Sequence, residues 1–231
     1  SGLDNGTAYT FTSVAHNNSG SAGPSAPSNA VIPATKPTLV TSVSAVAGNT
    51  NAVVTFTAPS NNGGAEISSY TVTSSPGGFT CVLNAPFTTP LTCTVPGLTN
   101  GVAYTFTVSA SNGAYTSDAS ASSVAVTPKT VPSAPTLSAA TSSTTFPGSA
   151  TVTVTPPGSN GGDSIISYTV TSSPGGFTCT VLAPNTSCIV EGLTPGVAYT
   201  FTAVARNSVP GTSAASVASN SITPVAKPSA P

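Results

Sequence analysis

The sequence predicts an all-β chain made of tandem seven-stranded Greek-key β-sandwiches. The first reason is a phrase that returns at a fixed interval. Gly2-Leu3-Asp4-Asn5-Gly6-Thr7-Ala8-Tyr9-Thr10-Phe11 recurs as Gly97-Leu98-Thr99-Asn100-Gly101-Val102-Ala103-Tyr104-Thr105-Phe106. It recurs again as Gly192-Leu193-Thr194-Pro195-Gly196-Val197-Ala198-Tyr199-Thr200-Phe201, with 95 residues from each tyrosine to the next. A period of one small domain means a tandem array. The second reason is that short apolar runs alternate with Thr and Ser at period two, and helical periodicity is absent. The third is dense turn chemistry between those runs. The 231 residues then divide into a partial unit at 1–34, whole units at 35–128 and 129–224, and the start of another at 225–231.

The third unit shows the elements most clearly. Residues 132–137 (Pro-Ser-Ala-Pro-Thr-Leu) read as an extended, proline-limited edge strand. Residues 150–155 alternate small or branched apolar residues with Thr, the pattern of a half-buried strand. Pro156-Pro157-Gly158-Ser159-Asn160-Gly161-Gly162 is a turn. Residues 166–171 alternate again and stop at Pro174-Gly175-Gly176. Two short strands, 177–181 and 187–190, each carry a cysteine. Residues 197–206 are the longest strand, and 215–223 close the unit as a seventh. Seven strands in about 95 residues is the count of a Greek-key sandwich. The junctions Ile32-Pro33-Ala34-Thr35-Lys36-Pro37, Thr127-Pro128-Lys129-Thr130-Val131-Pro132 and Thr223-Pro224-Val225-Ala226-Lys227-Pro228 all carry prolines. Fixed φ and a missing donor make such linkers short and stiff.

The segments from Gly97 and from Gly192 resemble the fibronectin type III domain, an immunoglobulin-like fold in which a Gly-Leu-x-Pro-Gly-x-x-Tyr corner opens strand F. The resemblance covers essentially the whole chain: strands F and G of one domain, two full domains and the first residues of a fourth. It implies that Tyr9, Tyr104 and Tyr199 are structural corner tyrosines whose hydroxyls cap backbone near the E–F turn. Tyr70-Thr71-Val72 and Tyr168-Thr169-Val170 match strand C. The Ser/Thr-rich surface and the Ser-Pro-Gly-Gly turns resemble bacterial members more than animal ones. Two departures stand out. Where the family's strand B usually carries a core Trp, this chain has Phe56 and Val154, and it contains no Trp. Most members also lack a disulfide. No Arg-Gly-Asp occurs in the F–G loops, so integrin recognition is not implied.

The four cysteines fall two to a complete unit: Cys81 with Cys93, and Cys179 with Cys188. No CxxC spacing occurs and the one histidine is remote in sequence, so two intra-repeat disulfides are expected rather than a metal site. Closing such loops contributes about 3 kcal/mol in the chain-entropy model and offsets a core without Trp. Disulfides point to a secreted, extracellular or cell-surface setting. No signal peptide is visible and the chain opens within a repeat, so a longer parent polypeptide is expected.

Charged residues are 4% of the chain, against roughly 25% in a typical soluble protein. Four basic residues, Lys36, Lys129, Arg206 and Lys227, make no phosphate-tracking stripe, so nucleic-acid binding is not expected. No apolar stretch approaches the roughly 20 residues of a spanning helix, so membrane insertion is not expected either. A net charge of −1 leaves little repulsion between copies. His16 stands where the other repeats have Ser111 and Arg206, as an exposed position of no fixed chemistry would. Asp4, Glu66, Asp118, Asp163 and Glu191 are scattered and form no evident catalytic pair. Nucleophile elbows, phosphate loops and calcium loops are absent. Asn5, Asn17 and Asn185 head Asn-x-Ser/Thr sequons of a kind that chance supplies in so Ser/Thr-rich a chain.

These readings lead to a non-enzymatic extracellular structural protein without cofactor or metal, a segment of a long array in a cell-surface filament, sheath or stalk. Its expected partners are copies of itself, in a fibre or in lateral packing through outward Thr and Ser. The alternatives are an adhesin or carbohydrate-binding module, or spacer domains of a secreted polysaccharide-degrading enzyme. A binding module should carry an aromatic or polar cluster at one end of a domain, and only Tyr115 stands out among the F–G loops.

Overall fold

The structure is a computed structural model that describes residues 2–143 and 145–226. Ser1, Thr144 and 227–231 lie outside the described residues, and with them Lys227 and Pro228 of the third junction and most of the 225–231 segment. Among the described residues there are fourteen strands and no helix. The chain forms two compact units, Ser1–Leu98 with Ala103–Thr127, and Thr99–Val102 with Pro128–Pro231.

The first unit opens with a two-residue hairpin, β1 (His16–Asn17) and β2 (Gly20–Ser21). Two antiparallel sheets follow. One orders β3 (Thr41–Ala47), β4 (Asn51–Thr57) and β7 (Leu91–Pro96); the other orders β6 (Thr80–Asn84), β5 (Ser69–Ser75) and β8 (Thr105–Ser111). The second unit repeats the plan. β9 (Thr136–Ser142), β10 (Ala150–Thr155) and β13 (Ser187–Val190) make one sheet, and β12 (Thr178–Leu182), β11 (Ser167–Ser173) and β14 (Thr200–Arg206) make the other.

Period-two sequence becomes period-two burial. Ala52, Val54 and Phe56 of β4 point inward, as do Tyr70 and Val72 of β5 and Phe106, Val108 and Ala110 of β8. Ala150, Val152 and Val154 of β10 meet Phe201, Ala203 and Ala205 of β14 in the same way. Phe56 and Val154, which stand in place of the family's Trp, are both buried. In the first unit Phe56 lies 5.0 Å from Tyr70, and Tyr70 lies 5.0 Å from Phe87, ring centre to ring centre. Phe106 and Phe201 are fully buried, whereas their counterpart Phe11 in the partial repeat is 51% exposed.

Strand 150–155 stands where the alternation puts it. The opening of that unit does not. Ladder pairing begins at Thr136, because Pro132 and Pro135 have no N–H to give. The larger correction concerns residues 215–223, which form no regular strand. Only Ile222 bridges Tyr199, as Val126 bridges Tyr104 and Val31 bridges Tyr9. The segment pairs at every third residue instead. Ser219, Ser216 and Ser213 donate their amides to the carbonyls of Phe201, Ala203 and Ala205 at 2.8, 2.8 and 2.9 Å. Their hydroxyls accept the amides of the same three residues at 3.1, 2.9 and 2.9 Å. Each hydroxyl then donates to the next backbone carbonyl, as Ser216 does to Val217 at 2.8 Å. Ser123, Ser120 and Ser117 do the same to Phe106, Val108 and Ala110, and Ser28 and Ser25 to Phe11 and Ser13. The seventh element is therefore a serine ladder, three residues against two.

Candidate functional site

The corner tyrosines sit at the mouth of the strand that carries the core phenylalanine. The Tyr9 hydroxyl accepts the Asp4 amide at 3.0 Å, and the Tyr199 hydroxyl accepts the Thr194 amide at 3.1 Å. Tyr104 is buried, with its ring edge-on to Phe79 at 6.1 Å; Tyr199 meets Phe177 likewise at 6.3 Å. A buried phenol that accepts a turn amide ties the inter-sheet turn to the core with one bond.

The cysteines join across the sandwich. Cys81 on β6 bonds Cys93 on β7, and Cys179 on β12 bonds Cys188 on β13, with Cα separations of 6.1 and 6.2 Å. In each unit the two strands belong to opposite sheets, so the bridge is a staple at the edge where the sheets turn toward one another. Among the described residues no cysteine is free.

A third framework site was not singled out in the sequence. Asn112 donates through Nδ2 to the carbonyls of Thr35 and Asn62, both at 2.9 Å, and accepts the Tyr115 amide at 2.9 Å. Asn207, fully buried, donates to the carbonyls of Thr130 and Asn160 at 2.8 Å and accepts the Val209 amide at 3.0 Å. One side chain thus locks the start of its domain, the turn after the second strand and its own loop. The signal was present: Asn17, Asn112 and Asn207 stand 95 residues apart. The glycines of that turn complete the lock. Gly161 has φ +76°, and a Cβ there would lie 2.1 Å from the Thr130 carbonyl oxygen; Gly63 faces Thr35 in the same way.

The few charges gather beside these locks. Lys36 pairs with Asp118 at 2.9 Å and Lys129 with Asp163 at 3.1 Å. Ser208 accepts from Lys129 at 2.9 Å and donates to Asp163. The Ser208 hydroxyl, and then Lys129, hold the Asp163 carboxyl below its ordinary value. Asp118 and Asp163 are thereby committed to lysines. Asp4, Glu66 and Glu191 are exposed. Among the described residues no three of His, Cys, Asp and Glu gather as metal ligands, and no helix is long and apolar enough to cross a membrane. His16 lies exposed on β1, and Tyr115 is 49% exposed.

The arrangement is one of locks, staples and caps. No curated protein matches the sequence. Among solved structures, the FN1–FN3 domains of chicken CNTN1 are similar at 18% identity and a TM-score of 0.39, over 97% of this chain and 78% of that one. The fibronectin type III domain model matches residues 35–126 and 133–220. Domains of this kind are generally non-enzymatic extracellular modules. With most of its length matched, the chain belongs to the fibronectin type III family.

Proposed function

We propose that this chain is a non-enzymatic segment of a long, bacterial-type fibronectin type III array, working as a structural element of a cell-surface filament, sheath or stalk. The observation that carries the reading is the repeated lock of Asn112 on Thr35 and Asn62 and of Asn207 on Thr130 and Asn160. Each domain ties its first residues to the turn after its second strand by the same two bonds, which suits a module meant to be repeated at constant pitch. Disulfide staples and the near absence of charge suit a polymer outside the cell, where salt and pH vary. Electron microscopy of the native, unreduced material tests it. Ordered fibres with an axial repeat of one or a few domains are expected. Isolated flexible rods ending in a globular head would overturn it in favour of an adhesin stalk or an enzyme spacer.

A further inference from the structure

We infer that an open cleft at one end of the first unit is a binding site for a neutral sugar unit. Asn62, Glu66, Ile67, Tyr70, Pro86 and Phe87 line the cleft, whose volume is about 610 Å³. That lies within the roughly 300–1,000 Å³ of small-molecule sites. The walls are largely apolar, and Phe87 is half-buried against Tyr70, so a ring C–H face has an aromatic surface to cover. Tyr70 is 2% exposed, and its side chain lines the cleft. A phenol hydroxyl in a cleft wall can both donate to and accept from a ligand hydroxyl. Asn62 is held in place by the Gly64 amide on its Oδ1 at 3.0 Å. The exposed Glu66 supplies a carboxylate acceptor.

The molecule contains its own comparison. The third repeat keeps Asn160, Ile165, Tyr168 and Pro184 at the matching positions, but has Ser164 for Glu66 and Asn185 for Phe87. The aromatic wall and the acceptor are thus additions to a shared frame. Their chemistry selects among ligands. Glu66 opposes phosphates and acidic sugars, and no basic residue lines the cleft to offset it. A purely cationic side chain would use the acceptor but leave the phenol and amide donors idle. Vicinal hydroxyls on an apolar ring use all three, each hydroxyl both giving and accepting. The site goes beyond the array role, and either reading can fail while the other stands.

The test is a titration of the full isotope-labelled chain, followed by amide resonances. The neutral probes are maltose, cellobiose and N,N′-diacetylchitobiose; sialyllactose and N-acetyl-arginine amide are the charged ones. A neutral disaccharide should shift resonances at Glu66, Tyr70 and Phe87 with Kd on the order of 1 mM. Glu66→Ser and Phe87→Asn, which install the third repeat's residues, should each weaken binding about tenfold or more. Glu66 is exposed, so its variant keeps the wild-type melting midpoint and separates binding from folding. Tyr70→Phe keeps the ring packing and should lose affinity with the midpoint unchanged. The site is overturned if no neutral saccharide binds, if binding survives Glu66→Ser undiminished, or if the arginine amide binds as tightly.

Discussion

The Ala203 amide gives its hydrogen to the Ser216 hydroxyl at 2.9 Å, while the Ala203 carbonyl accepts from the Ser216 amide at 2.8 Å. One serine therefore fills both halves of a backbone pair, with Oγ standing in for its own carbonyl. Ala203 is 1% exposed, so the amide has no ready alternative partner. Ser216→Ala should cost about 1–3 kcal/mol, the penalty for an unsatisfied buried donor. In urea the midpoint should fall without a change in slope, and Ser216→Thr should recover part of the loss. The exposed Ser221→Ala is the control; an equal effect there would remove the ladder's special standing.

The staples should carry a large share of each domain's stability. The bridged cysteines are 12 and 9 residues apart, so reduction should cost about 2.5–3 kcal/mol per domain in the chain-entropy model. Denaturation with and without reductant measures this. A midpoint that does not move on full reduction would show that the core holds the sheets together unaided.

Tyr199→Phe removes the acceptor of the Thr194 amide and leaves the ring in place. A loss of about 1 kcal/mol is expected, as for one ordinary hydrogen bond. Hydrogen exchange at the Thr194 amide should rise before the core amides change. Protection retained at that amide would argue against the cap.

Gly161→Ala tests the linker lock. The new Cβ meets the Thr130 carbonyl oxygen at 2.1 Å and sits on a residue with φ +76°, so neither the side chain nor the backbone is accommodated. The domain should lose more than about 1 kcal/mol. Gly158→Ala, with open space around its Cβ, should be nearly silent. Equal effects would count against a specific lock.

Stability should vary little between about pH 4 and 9. Asp163 is held below its ordinary value by Ser208 and Lys129, so its contribution is complete above the unfolded carboxyl range and is lost only as pH falls through the depressed folded value. Burial raises Tyr70 and Tyr168, so their ionisation weakens the fold only above about pH 10, where unfolded tyrosine ionises first. Melting curves across that range check it; a steep acid transition above pH 4 would contradict it.

The sandwich was legible because burial repeats the sequence's own rhythm: residues 150–155 alternate in the chain and alternate in the core. The last strand misled for the same reason. Residues 215–223 read as a closing strand, but Val217 is 86% exposed, and the pairing residues are the serines at 213, 216 and 219. A period of three is invisible to a reading that scores apolar positions, because its register is kept by hydroxyls. The cleft was hidden differently. Phe87 reads as a lone aromatic among Pro86, Thr88 and Thr89, and only the fold sets it against Tyr70 and Glu66.

Three residues opposite two also store length. From Tyr199 to Ala205 a strand spans about 20 Å, and the nine steps from Ser213 to Ile222 cover the same distance. Pulled straight, those nine steps would reach about 30 Å. The segment lies just before the proline-bearing stretch that starts at Thr223, and it is held by separate serine contacts that can open singly. Under tension each module should lengthen by about 10 Å as this fold in the cord pulls out, with the hydrophobic interior still closed. Force spectroscopy on the intact chain should register that small step before the large rupture, and its absence in traces of adequate resolution would refute the idea. Each module would then carry a shock absorber of its own.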